Sequence, residues 1–266
     1  MTNMPSDINA SNDTRPWDKQ FTQVGPEPWS AGYGILFLSA VMWVWYASLI
    51  WRFTTGDETE AATIWLAALA GWLGLQTWFS RKHLPERYSG FFSTILQAVV
   101  PTVLTVALVF AVPDLKSASA SIVSDVGILE LVAVHILRLA AWGTIAKYME
   151  GQLPKYFFQY ASLPDFGFAI FAVIVTGWLL VTDSTFPDAF LLFYSFIGAA
   201  AFLGAATTMY FGVPGSALSW RWQHAESGKE APTFLPFRWP MNLAPSFCGP
   251  VFWLAHGLLI AKVWIP

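Results

Sequence analysis

The chain has 266 residues, 55% hydrophobic and only 12% charged, with a mean hydropathy of +0.50. Soluble domains carry about 25% charged residues, so this composition excludes a disordered chain and argues against a soluble globular enzyme. The formal net charge of −3, from 14 basic and 17 acidic residues, leaves no basic field for nucleic acid. A single cysteine, Cys248, excludes an intramolecular disulfide, a CxxC redox pair and a Cys-rich metal site.

The apolar residues come in long blocks, and a membrane-spanning helix needs roughly 20 of them. Residues 1–32 are polar and acidic and lack the basic start and short apolar core of a signal peptide; they read as a cytoplasmic tail. Seven apolar stretches follow, at about 33–53, 62–80, 91–112, 126–148, 164–182, 188–211 and 243–264. The expected fold is therefore all-α: a polytopic membrane helix bundle of seven transmembrane helices, occupying 33–266 as one domain. Pro101 is expected to kink the third stretch, because it removes a helical hydrogen bond. The run Gly198-Ala199-Ala200-Ala201 with Gly204-Ala205-Ala206 in the sixth allows close helix approach. Residues 212–242 alternate aromatics with single cations, as a segment lying on the membrane surface does.

Lys and Arg set the orientation. The tail and the second, fourth and sixth connections hold ten of them, and the opposite side holds only Arg52, Lys116 and Lys262. The positive-inside rule places the N-terminus in the cytoplasm and the C-terminus outside, in the inner cell membrane. Trp51, Trp78 and Trp264 lie near helix ends, where indoles favour the headgroup zone, whereas Trp142 and Trp178 lie deeper and read as packing residues.

The informative polar groups lie in the fourth, fifth and seventh stretches. Arg138 sits near the middle of the fourth, where an arginine costs at least about 2.5–3.5 kcal/mol and needs a partner facing the bundle. On an ideal helix it lies about 80° from Glu130 and about 60° from His135, so the three share a face. Pro164 is expected to open the fifth helix, with Asp165 in its first turn gaining from the helix N-terminus. Asp165 would meet Arg138 only if Arg138 reached down or the linker re-entered the membrane. His135 and His256, counted from the ends of their helices, lie at one depth. Two such imidazoles could ligate a haem iron axially or bind a quinone headgroup.

Arg138, Gly143, Gly151-Gln152-Leu153-Pro154, Phe157, Ala161 and Asp165 together resemble a pattern in uncharacterised bacterial multi-pass membrane proteins. There, an arginine helix is followed by a G-x-L-P-x-x-F turn, then by an alanine and an aspartate opening the next helix. The resemblance spans about 30 residues and implies importance for Arg138, Pro154 and Asp165; Leu163-Pro164 stands where that family has a glycine.

Nucleotide, zinc-hydrolase and nucleophile-elbow motifs are absent, and no metal site is read. Three functions stay open from sequence. The first is a polar pocket of Glu130, His135, Arg138, Asp165 and His256 that binds or transports a small anionic or lipidic ligand. The second is a membrane subunit of an electron-transfer complex using haem or quinone, and the third is a non-catalytic assembly partner in a homo- or hetero-oligomer.

Overall fold

The computed structural model describes residues 29–81, 100–151, 153, 155–182, 185–211, 241 and 243–264. Among them every regular element is helical. α1 is Trp29–Phe53, α2 Asp57–Arg81, α3 Val100–Ala111 and α4 Pro113–Asp125. α5 runs from Ile128 to Met149 and α6 from Lys155 to Thr182. α7 is Asp188–Phe211, and α8 runs from Ala244 to Trp264. Five of these are long and apolar enough to cross a membrane, and the bent pair α3–α4 makes up to six. The outward surface suits that solvent: Val181 is 85% exposed and Phe110 75%. Trp142 and Trp178 belong to it as well; both are more than half exposed, so neither is a packing residue. Residues 1–28 of the tail, the 212–240 segment and the first part of the third apolar stretch lie outside the described residues; the last four tail residues, 29–32, belong to α1.

α4 was hidden in what reads as a connection. α3 and α4 meet at 101°, and the bend falls at Val112-Pro113 rather than at Pro101. Pro113 suits a first helical turn because no partner is lost there. Leu115, Ala118, Ile122 and Val123 form the buried stripe of α4, at the spacing of one helical face. Its C-terminal carbonyls are held by Lys262 of α8, whose ammonium donates to Val123 O at 3.0 Å and Ser124 O at 2.9 Å. Its outer side is tied to α2, where the Ser121 hydroxyl donates to Glu58 at 3.1 Å.

Three of the long helices are not α-helical throughout. Val134–Ala141 of α5 is a 3₁₀ stretch. Phe158–Ser162 of α6 and Ala244–Cys248 of α8 are π turns. Each π turn is followed two residues on by a proline, Pro164 and Pro250, which has no N–H to return to the preceding turn. The i−5 bonds Leu163 N–H to Phe158 O and Gly249 N–H to Ala244 O carry the chain past the gap. The fifth apolar stretch therefore begins at Lys155, not at Pro164. α5 ends at Met149 with Glu150 as its C-cap, and Gly151 in the left-handed region (φ 74°) donates to Tyr148 O at 2.9 Å.

The core falls into two apolar clusters. One lies toward the α1–α2 turn at Gly56 and contains Leu49, Trp65, Ile122, Leu131, Val175, Tyr194 and Leu259. The other lies toward Gly151 and contains Ile35, Met42, Phe157, Ala161, Phe247 and Phe252. Replacing Lys262 with methionine removes a cation from the end of α4, a contribution of about 0.3–1 kcal/mol. We expect faster amide exchange confined to Val123–Val126, read by hydrogen–deuterium exchange in detergent; unchanged exchange there would show that α4 does not depend on this cap.

Candidate functional site

Between the two clusters lies a polar layer built on Arg138, whose residue is 1% exposed. Its Nε donates to Asp165 Oδ1 at 2.6 Å, and Nη2 contacts the same oxygen. Nη1 and Nη2 both donate to the Gly198 carbonyl at 3.1 Å, and Nη1 meets His256 Nε2 at 3.3 Å. Four hydrogen bonds and one ion contact thus surround a guanidinium that has five N–H groups. The rings of Phe168 and Phe252 flank the charge, with centroids 4.6 and 5.5 Å from Cζ.

Each partner is placed by a local feature of the chain. Asp165 reaches the layer because α6 starts at Lys155, which puts ten residues of helix before it and carries the carboxylate about 15 Å along the axis. A first-turn aspartate would have stayed at the helix end. Gly198 presents its carbonyl at close range because it has no side chain: a Cβ there would overlap the His256 ring and Phe168. Six residues on, Gly204 does the same for the Tyr160 carbonyl, to which Pro164 offers no N–H. His256 accepts from Arg138 through Nε2, which puts its own proton on Nδ1.

His135 and His256 stack face to face, with ring centroids 3.9 Å apart and planes 20° from parallel. His135 is fully buried among Phe168, Tyr194 and Phe252, and neither of its nitrogens has a hydrogen-bond partner among the described residues. This arrangement does not fit axial haem ligation. Two axial imidazoles point their nitrogens at opposite faces of a porphyrin lying between them, and rings in van der Waals contact leave no space for one. Among the described residues no cluster of three or more His, Cys, Asp or Glu could hold a metal ion.

Glu130 is not part of this layer. It pairs with Arg52 of α1 at 2.9 Å, near the Gly56 end. The shared face expected for Glu130, His135 and Arg138 assumed a uniform α-helix, whereas the 3₁₀ stretch from Val134 winds the chain more tightly. Glu130 also has a nearer cation in Arg52 than in Arg138, which Asp165 already neutralises. Arg138, Asp165, His135 and His256 are thus brought together, and Glu130 is left out.

A cavity of about 380 Å³ adjoins the layer on its Gly151 side. Asp165 is the only one of the five candidate residues on its wall. Apolar groups dominate the lining, among them Ile35, Leu38, Phe157, Phe202 and Phe252. The 3₁₀ stretch contributes Leu139–Ala141, one π turn Ala161 and Ser162, and the other Ala244, Pro245 and Cys248. All three departures from α-helix therefore border one space. Four other polar wall residues are partnered: Thr144 with Ser162 at 2.7 Å, Cys248 with Ser39 at 3.5 Å, and Lys147 with Glu150 at 2.9 Å; the indole of Trp142 also lies on the wall. Sequence reasoning missed Gly198, Phe168 and Phe252; only the small-residue run hinted at the first, as a place of close helix approach. Pro154 lies outside the described residues.

The chain matches no protein-family model, no curated protein and no solved structure.

Two expectations follow for the layer. Asp165→Ala strands the Arg138 charge and should destabilise the protein by about 3–5 kcal/mol. The double variant Arg138→Met/Asp165→Leu removes both charges and should recover most of that loss. Unfolding in mixed micelles checks this, and additive losses would show that the two groups act independently. Gly198→Ala drives a methyl into His256 and Phe168 and should cost about 1–3 kcal/mol, read in the same assay.

Proposed function

We propose that this chain is a seven-span protein of the inner cell membrane, with its N-terminus in the cytoplasm, that binds a small lipophilic molecule in the cavity beside Asp165. In this reading α2, and α3 with the residues before it, also cross the bilayer. The Gly151 end then faces the cytoplasm, and the cavity lies in the cytoplasmic half of the membrane. The bias of ten basic residues against three supports the orientation. Reporter fusions after residues 20 and 266 should fall on opposite sides; both on one side would remove a span from the count.

The observation that carries the binding reading is the convergence of the 3₁₀ stretch and both π turns on one apolar cavity. Irregular helical turns at membrane depth are tolerated where they line a cavity, and π turns gather at functional sites. A volume of about 380 Å³ lies in the usual range for small-molecule sites, about 300–1,000 Å³. A void this size between apolar walls would cost roughly 9 kcal/mol at about 24 cal/mol per Å³, as an upper bound for a partly open space.

The anionic version of the ligand lacks a receptor, since Arg138 does not line the cavity and its guanidinium is turned to Asp165, Gly198 and His256. A lipophile remains. Gly143 provides the test, because it lines the cavity and a Cβ built there meets nothing within 4 Å. Gly143→Leu should fill the space without disturbing the backbone. Native mass spectrometry of protein released from lipid nanodiscs should show a small lipophile on the wild type and at least tenfold less on Gly143→Leu, with thermal stability maintained. Equal occupancy of the two proteins would overturn the reading.

A further inference from the structure

We infer that the molecule held in this cavity carries a hydrogen-bond donor, a hydroxyl or an amine, on an apolar body, and that Asp165 Oδ2 reads it. The inference rests on the cavity reading above and specifies its ligand class. Both contacts from Arg138 go to Oδ1 of Asp165. Oδ2 has no donor among the described residues, while the side chain is 22% exposed and lines the cavity. A carboxylate oxygen can only accept. Thr144, Ser162, Cys248 and Lys147 are already partnered and the indole of Trp142 can only donate, so Asp165 Oδ2 is the acceptor that this largely apolar wall presents.

Charge argues in the same direction. Arg138 cancels Asp165, and Glu150 cancels Lys147 at the far end of the cavity, about 13 Å along α5 from Arg138. A carboxylate or phosphate head would meet a carboxylate oxygen deep in the site and only an already paired ammonium at the mouth. An ether or ester head would leave Oδ2 without a donor. A hydroxyl or amine satisfies it. Arg138 is accordingly a positioning residue: it turns Oδ1 inward and leaves Oδ2 toward the cavity.

The test uses four probes with the same twelve-carbon chain: dodecan-1-ol, dodecylamine, 1-methoxydodecane and dodecanoate. Each is added at equal mole fraction to phosphatidylcholine nanodiscs containing the full chain, and occupancy is read by native mass spectrometry. The alcohol and the amine should exceed the ether by roughly fivefold, the factor that one hydrogen bond of average net strength confers, and dodecanoate should bind least. In Asp165→Asn the retained Oδ1 still faces Arg138 and an NH₂ replaces Oδ2. The ether should then rise to the level of the alcohol, whose oxygen also accepts, and the amine, protonated and without an acceptor, should fall below both. Where that variant does not fold, the wild-type series alone decides.

Equal binding of all four probes, or preference for dodecanoate, overturns the donor assignment. If Gly143→Leu still lowers every probe, the cavity reading survives that failure. If Gly143→Leu leaves all four unchanged, the cavity reading fails and the donor assignment with it.

Discussion

A guanidinium fully buried between two apolar clusters constrains everything around it. Such a charge is tolerated only when its donors are satisfied and its countercharge is at hand, and Arg138 meets both conditions by drawing on three other helices. From α6 it takes a carboxylate, from α7 a backbone carbonyl and from α8 an imidazole nitrogen. Each demand propagates. The carboxylate requires α6 to start well before Asp165, and the carbonyl requires glycine at 198. The imidazole must give its proton to Nδ1, and its ring then stacks on His135. Two phenylalanine faces complete the enclosure. Remove the arginine and each of these features loses its common reason.

The prolines explain why a space lies next to this layer instead of more packed side chains. Pro164 and Pro250 each interrupt the helical ladder, and in both helices the chain responds with one wider turn just before the proline. A π turn inserts a residue without ending the helix, so the wall bulges and its side chains lose registry with their neighbours. Where α6 bulges, α7 answers with Gly204 against the Tyr160 carbonyl. Where α8 bulges, Gly249 accepts the ring of Phe202. Backbone thus comes close to neighbouring helices at a few points, and the room left between those points is the cavity.

Much of this was legible from residues. The long apolar blocks announced helices of membrane length, and an arginine in the middle of one announced a polar layer. Depth counting placed His135 and His256 together, and the glycine-alanine run marked the place where helices approach. What failed did so for identifiable reasons. Pro164 reads as a helix start because a first turn is where proline costs least; that the chain instead accommodates it by a π turn just before it goes with Gly204 of α7 beside the Tyr160 carbonyl. Glu130 was assigned to the face of Arg138 by a constant 100° per residue, a rule that a 3₁₀ stretch breaks. α4 carried a readable apolar stripe, Leu115, Ala118, Ile122 and Val123, but its serines and short length gave it the look of a connection. The cavity was not legible, since it arises from mismatches between helices and no single helix encodes it.

The bonding of Arg138 changes what the site can recognise. A pocket arginine normally advertises an anion, and the sequence invites that reading. Here the guanidinium is turned to Asp165, Gly198 and His256 and is absent from the cavity wall, so the charge organises the site without being presented to it. The group presented is the far oxygen of a carboxylate already neutralised by its partner. In such a setting the sense of a hydrogen bond discriminates more than net charge does, because the ion pairs at both ends of the cavity are closed. A hydrocarbon wall sets a size and an aversion to water; one acceptor at its depth sets an orientation. The proposal of a neutral or aminated lipophile rests on these two features together, the apolar walls beside the π turns and the one acceptor among them.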